Sequence, residues 1–367
     1  MRIGRLLLLC IVVVSLVILV LPGTAQEQMQ VMEMGSRLRL RDMPNTGGNT
    51  LQFLNAGEQL SIVQVSDDGM WTEVEVASTG LQGWVASQFI EPVNASTPPS
   101  EFEFNDVVYN GVTILSGVNQ NAVDIFLRGQ EMGNRANVFT KVGDSITFTP
   151  WFLDEIGDGN YILDEHDYLQ NAIDYFSTEP ARDENSFKHN SVAMANGWNA
   201  GLMQDSDYAD PFLCDIEETP LECEYRITRP AIALIMFGTN DVGFIDGYTF
   251  RINMEWVVQI SIDNGVIPVI STIPNRLDKQ EEVPLFNAII RDIARKYNIP
   301  LWDYKAILDT LPGEGLSGDG VHPNSSPRGG VGQGDFTAIN LDYGFPMRNF
   351  NAVQILQSLL EQVILRA

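Results

Sequence analysis

Cysteine is nearly absent. Cys10, Cys214 and Cys223 are the only three, and no CxxC pair occurs. A multi-disulfide framework and a cysteine-based zinc site are therefore excluded. Basic residues are scarce too: 22 Lys and Arg stand against 48 Asp and Glu, for a formal net charge of −26. Such a chain lacks the cation-rich patches that drive binding to phosphate backbones and anionic lipids, so no nucleic-acid partner is expected. No Gly-x-y period, heptad series or long polar tract occurs, which excludes fibrous and low-complexity classes. The chain is instead globular in balance, with 44% hydrophobic and 19% charged residues over 367, a length suited to two domains.

One long apolar run occurs, at residues 6–21, behind Arg2 and Arg5. It is short of the roughly 20 apolar residues that a spanning helix needs. Pro22-Gly23-Thr24-Ala25 follows, with small residues where a signal peptidase reads. Residues 1–25 thus read as an export signal cleaved after Ala25, an uncleaved N-terminal anchor being the alternative. An extracytoplasmic protein, secreted or held at the cell surface, is expected. An oxidising compartment would let Cys214 and Cys223 pair.

Residues 31–93 hold short alternating stretches between turn signals. Leu38-Arg39-Leu40-Arg41, residues 60–65, Trp71-Thr72-Glu73-Val74-Glu75-Val76 and Gly83-Trp84-Val85-Ala86 are the strand candidates. Short strands at this spacing predict a small all-β barrel. Leu38-Arg39-Leu40-Arg41-Asp42-Met43-Pro44 and Gly83-Trp84-Val85 resemble the opening and close of the bacterial SH3-like domain. That resemblance implies a structural module or one that holds a cell-wall polymer. Trp71 and Trp84 are expected in the barrel core rather than in a binding groove. Residues 94–104, rich in Pro, Ser and Thr, read as a linker.

Residues 105–367 alternate strand and helix patterns. Residues 137–142, 231–237 and 266–270 read as strands, the second apolar throughout and so buried on both faces. Residues 250–264, 285–297 and 351–365 carry helical spacing, the last with Val353, Leu356, Leu360 and Ile364 as its inner stripe. The alternation predicts an α/β fold with a mostly parallel sheet, whose function gathers at the carboxyl ends of the strands.

Three motifs sit at strand ends. Gly143-Asp144-Ser145-Ile146 places a serine in a tight turn. Gly238-Thr239-Asn240-Asp241 offers an amide able to donate to a developing oxyanion. Asp319-Gly320-Val321-His322 sets a carboxylate three residues before an imidazole, close enough to orient one ring nitrogen and leave the other as a base. Together they supply nucleophile, base, orienting acid and oxyanion donor. Their order resembles blocks I, III and V of the SGNH, or GDSL-like, hydrolase superfamily. That resemblance implies a flavodoxin-like three-layer α/β/α sandwich and metal-free, cofactor-free ester hydrolysis through an acyl-enzyme. It implies Ser145 as nucleophile, His322 as base and Asp319 as its partner. The oxyanion hole would be the Ser145 N–H, Asn240 and a block II glycine, for which Gly197 is preferred and Gly201 is the alternative.

His166 and His189 have no comparable setting and read as surface or structural. Residues 154–165 only superficially match a calcium loop, because Ile156 stands where a ligand is needed; a solvated acidic loop is the better reading. The long insertion between Ser145 and Gly238, which holds residues 161–175 and the Cys214 and Cys223 pair, and the glycine-rich residues 325–348 are expected to wall the pocket. The resulting expectation is a secreted serine esterase acting on acyl esters, acetyl among them, of an extracellular glycan or lipid. Its rivals are a non-catalytic wall-associated binding protein and an acyltransferase on the same three residues.

Overall fold

The computed structural model describes residues 28–32, 38–45, 47–55, 57–66, 69–92 and 104–367. Residues 1–25, expected to be an export signal, and nearly all of the expected linker lie outside the described residues. The chain divides into two compact units at Phe104.

The first unit is a seven-stranded antiparallel sheet of order β3-β2-β6-β5-β4-β1-β7. Its strands are β1 (Gln28–Val31), β2 (Leu38–Arg41), β3 (Thr50–Leu54), β4 (Gln59–Val65), β5 (Trp71–Val76), β6 (Gln82–Ala86) and β7 (Ile90–Pro92). Strand alternation decides which side chains enter its core. On β5, Thr72, Val74 and Val76 point inward, and the core is aliphatic: Leu38, Leu40, Leu54, Leu60, Val74, Val76 and Val85 among others. Trp71 and Trp84 are therefore not core residues, contrary to expectation. Both are half-buried on the other face, where Trp84 lies opposite Glu73 on one neighbour and Arg41 on the other.

The second unit is built on strands β8 (Val107–Tyr109), β9 (Val112–Ser116), β10 (Arg135–Gly143), β11 (Pro230–Met236), β12 (Ile267–Ser271) and β13 (Leu301–Trp302). They form one sheet of order β10-β11-β12-β13-β9-β8. The four strands β10 to β13 run parallel, and β9 and β8 close one side as an antiparallel hairpin. A single parallel bridge from Gly143 to Met194 extends the other side. The helices are α1 (Gln120–Glu131), α2 (Ser145–Phe148), α3 (Asp154–Gly157), α4 (Gln170–Ser177), α5 (Pro220–Thr228), α6 (Gly247–Asp263), α7 (Val283–Tyr297), α8 (Tyr304–Leu308) and α9 (Gly344–Leu359). They form two packed sets: α5, α6 and α7 touch in series, while α9 touches α4 and α8 and leads into a π turn against α1. Every residue of β11 and β12 is buried, as apolar strands covered by helices on both faces must be. The result is a three-layer α/β fold.

Helix α9 departs from its expected form. It begins earlier than its apolar spacing suggests, and all sixteen of its residues are buried rather than one stripe. Its amides are what allow this. Asn349 accepts from the Leu153 N–H and donates to the Trp151 and Gln333 carbonyls, and Gln357 accepts from the Ala172 N–H. Buried amides that serve as backbone partners cost little to bury. Cys214 and Cys223 form a disulfide, as expected, with Cα atoms 5.2 Å apart.

Candidate active site

Strand β10 ends at Gly143, a position where no larger residue fits. A Cβ would meet the Thr147 hydroxyl at 2.5 Å and the Met236 carbonyl at 2.6 Å. Asp144 then caps α2, its carboxylate accepting from the Ile146 N–H at 2.9 Å. This places Ser145 as the first residue of α2, where the backbone N–H has no intrahelical acceptor.

The Ser145 hydroxyl lies 2.9 Å from His322 Nε2. His322 Nδ1 lies 2.7 Å from Asp319 Oδ2. Asp319 is tied down by its own turn: Oδ1 accepts from the Ser317 hydroxyl at 2.6 Å, the Val321 N–H at 2.9 Å and the His322 N–H at 3.0 Å. Partial burial alone would raise this carboxyl, but those donors and the imidazole outweigh it and hold it well below the usual carboxylate range. An ionised Asp319 fixes the tautomer with the proton on Nδ1, so Nε2 accepts from the serine.

The block II stretch runs beside β10. The Gly143 N–H donates to the Ala193 carbonyl and the Ala195 N–H donates back to Gly143. The chain then turns at Gly197, whose φ of +77° suits glycine and whose missing Cβ would face open space. Gly201 is differently placed. Its N–H donates to Asn199 Oδ1 at 3.0 Å, within a 3-10 turn. Asn240 Nδ2 donates to the Trp198 carbonyl at 2.8 Å, which ties the block III loop to the residue after Gly197. An amide NH2 carries two hydrogens, so one remains.

A cavity of about 410 Å³ opens at the serine, lined by Ser145, Thr149, Trp151, Asn196, Asp319 and His322, with Ser317, Pro323, Ser325 and Phe345 completing it. Trp151 and Phe345 meet edge to face with ring centres 5.6 Å apart. Of the segments expected to wall the pocket, the insertion after Ser145 contributes Thr149, Trp151 and Asn196, and residues 325–348 contribute Ser325 and Phe345. Residues 161–175 do not line this cavity, and Asp215 to Glu218 line a different one with Arg226 and Asn264. Asp154 is not simply solvated either: it pairs with Lys141, a lysine buried on β10.

Several buried ionisable groups around the site were not assigned any role by motif reading. Burial pushes Asp144 up to about 6, against the pull of the Ile146 N–H and Arg348. Burial also raises Asp241 to about 7, opposed by the Ala200 N–H and reinforced by the charge of Asp144. Arg348, on α9, is 1% exposed and donates to the Ile146 carbonyl and, at 3.1 Å, to the Thr147 hydroxyl. Its guanidinium lies 3.7 Å from the centre of the Phe152 ring, and burial brings it down to about 10, so it stays charged at neutral pH. The signal for Arg348 was available: it is the only charged residue in α9.

The sequence profile described as the GDSL-like lipase/acylhydrolase family matches residues 142–326, half of the chain. The chain belongs to this family. It is a hydrolase acting on ester bonds. Solved structures of similar fold include a lipolytic protein of the G-D-S-L family from Desulfitobacterium hafniense DCB-2, at 16% identity over 60% of this chain and 99% of that one, with a TM-score of 0.39. A lipase/acylhydrolase from Enterococcus faecalis matches at 19% identity over 60% and 94%, with a TM-score of 0.38. A carbohydrate esterase family 3 protein from Talaromyces cellulolyticus matches at 15% identity over 60% and 97%, with a TM-score of 0.39. No curated protein matches.

Proposed function

We propose that this family member is an exported serine esterase that removes small acyl groups, acetyl among them, from an extracellular glycan or lipid. The observation that carries the reading is the continuous chain from the Ser145 hydroxyl to His322 Nε2, 2.9 Å, and from His322 Nδ1 to Asp319, 2.7 Å. In this reading Ser145 Oγ attacks the ester carbonyl while its proton passes to Nε2. Asp319 stabilises the imidazolium and is not itself protonated. The tetrahedral oxyanion is held by the Ser145 N–H, the Gly197 N–H and the second Asn240 amide hydrogen. The proton on Nε2 goes to the departing alkoxide, which leaves as the alcohol. Water then attacks the acyl-enzyme with His322 as base, releasing the acid and restoring the serine.

The aromatic and hydroxyl lining of the cavity suits a compact, neutral, partly polar ester. Export rests on the residues 1–25 pattern; among the described residues no helix is long and apolar enough to cross a membrane. The curled antiparallel sheet ahead of the hydrolase unit is read as an SH3-like module that keeps the enzyme near a wall polymer. The test is turnover of a short-chain nitrophenyl ester by residues 26–367 beside Ser145→Ala. Loss of at least a thousandfold in a folded variant is expected; equal turnover would remove Ser145 from the reaction.

A further inference from the structure

Beneath the site lies a buried carboxylate that the reaction itself does not use. Glu224, on α5, is fully buried, and three donors from two segments, β10 and the 189–192 stretch, converge on it. The Thr140 hydroxyl donates to Oε1 at 2.6 Å, His189 Nε2 lies 2.9 Å from the same oxygen, and the Val192 N–H donates to Oε2 at 3.0 Å. Burial alone would raise this carboxyl, yet the His189, Thr140 and Val192 donors bring it below its ordinary value. His189 is itself 1% exposed, so neither member of the pair meets solvent.

What the carboxylate joins gives it a meaning beyond stability. Thr140 lies on β10, three residues before Gly143 and the turn that presents Ser145. Val192 begins the stretch that bridges β10 at Met194 and turns at Gly197. One carboxylate therefore fixes the register between the backbone of the serine and the backbone of the glycine. Its helix is held in turn: the disulfide ends at Cys223, the neighbouring residue, and Thr219 and Glu222 form a capping box.

We propose that Glu224 is a positioning residue for the oxyanion hole, setting where the Gly197 N–H stands relative to Ser145. The proposal rests on the serine-esterase reading above. Oxyanion donors act on the transition state, so a shift of that backbone lowers kcat and leaves KM unchanged. Position, not charge, is what matters, and two conservative variants separate the two. Glu224→Asp keeps the charge but is one methylene too short to reach both segments. Glu224→Gln keeps the reach. Its oxygen accepts from the Val192 N–H, and its NH2 is accommodated by rotating the Thr140 hydroxyl and switching the His189 tautomer.

The experiment measures kcat, KM and the rate at which a nitrophenyl alkylphosphonate labels the serine, with melting temperature recorded for each protein. Glu224→Asp is expected to lose about tenfold or more in kcat and in labelling rate, with KM within about twofold. Glu224→Gln is expected to stay within about threefold of the parent in all three. A folded Glu224→Asp with parental kcat, or a Glu224→Gln that loses tenfold, overturns the proposal. Thr140→Val, a shape-conserving change on a strand, decides the matter if Glu224→Asp does not fold. It should cost severalfold in kcat at constant KM, and no change in kcat overturns the proposal. A parent protein that hydrolyses the ester but is never labelled at Ser145 would instead remove the serine reading itself, a result distinct from any of these.

Discussion

Asp241 offers a stability experiment whose sign is fixed by its surroundings. It is 1% exposed, and its carboxylate accepts from the Ala200 N–H at 3.2 and 3.4 Å, long for a charged group. Its titration is raised from 3.8 to about 7. A carboxyl raised in the folded state binds its proton more tightly there than in the unfolded chain. The folded state then pays nothing below about pH 4, an increasing cost between about 4 and 7, and the full cost above about 7. At about 1.4 kcal/mol per pKa unit, a gap of about three units gives a ceiling of about 4 kcal/mol.

Asp241→Asn removes the charge and keeps an acceptor for Ala200, though a weaker one. We expect the variant to be more stable than the parent by roughly 2–3 kcal/mol at pH 8, and the gain to vanish by about pH 4. For a unit of this size that is a rise in melting temperature of roughly 5–10 °C at pH 8. The assay is thermal unfolding of both proteins across that pH range, and the quantity read is the difference between them. The difference is essential, because Asp319 and Glu224 are shifted the other way and destabilise the parent as pH falls. A difference that stays flat with pH, or grows toward acid, would refute the reasoning.

Two further outcomes follow from the same structure. Arg348→Met removes the donors that hold the Ile146 carbonyl and the Thr147 hydroxyl and leaves both acceptors buried. A loss of roughly 1–3 kcal/mol in denaturant unfolding is expected, together with about a tenfold fall in kcat because α2 carries Ser145; parental kcat in the folded variant would show that α2 holds itself. Cys214→Ser opens a short loop worth about 2–3 kcal/mol on the chain-entropy account, so the melting temperature should drop by roughly 5–10 °C, and the parent should show the same drop in reductant; no drop in either would mean that the segment is held by its contacts with Arg226 and Glu218 without the disulfide.

Much of the fold was legible because its strands are extreme. The apolar run at 231–237 has one physical solution in water, a strand covered on both faces, and it became β11. Helix starts were less legible. Asp246 caps α6 several residues before its apolar spacing begins, and α9 starts at Gly344, ahead of any stripe. Asp246 caps the first with its own side chain, and the distant Asn324 accepts the Gly344 N–H of the second at 2.6 Å; a hydrophobic period registers neither. Trp71 and Trp84 misled for a related reason. Size argued for the core, while alternation with Thr72, Val74 and Val85 had already given the inward positions to smaller residues.

The candidate site divides along the same line. Ser145, Asn240, Asp319 and His322 could be read because each sits in a short local motif, and local turns can bring Asp319 to His322 with no help from the rest of the chain. The groups that hold those motifs in place belong to no short motif, and Arg348 is marked only as the one charge in α9. Glu224 gains its meaning only when β10, α5 and the Val192 stretch are packed together, and Arg348 reaches α2 from two hundred residues away. Each is a charge whose burial would be costly without the polar partners that folding brings to it. A motif therefore states which atoms can react, and the buried charges around it state where the backbone must stand for them to do so. In this protein the second statement is written in residues that no short motif marks.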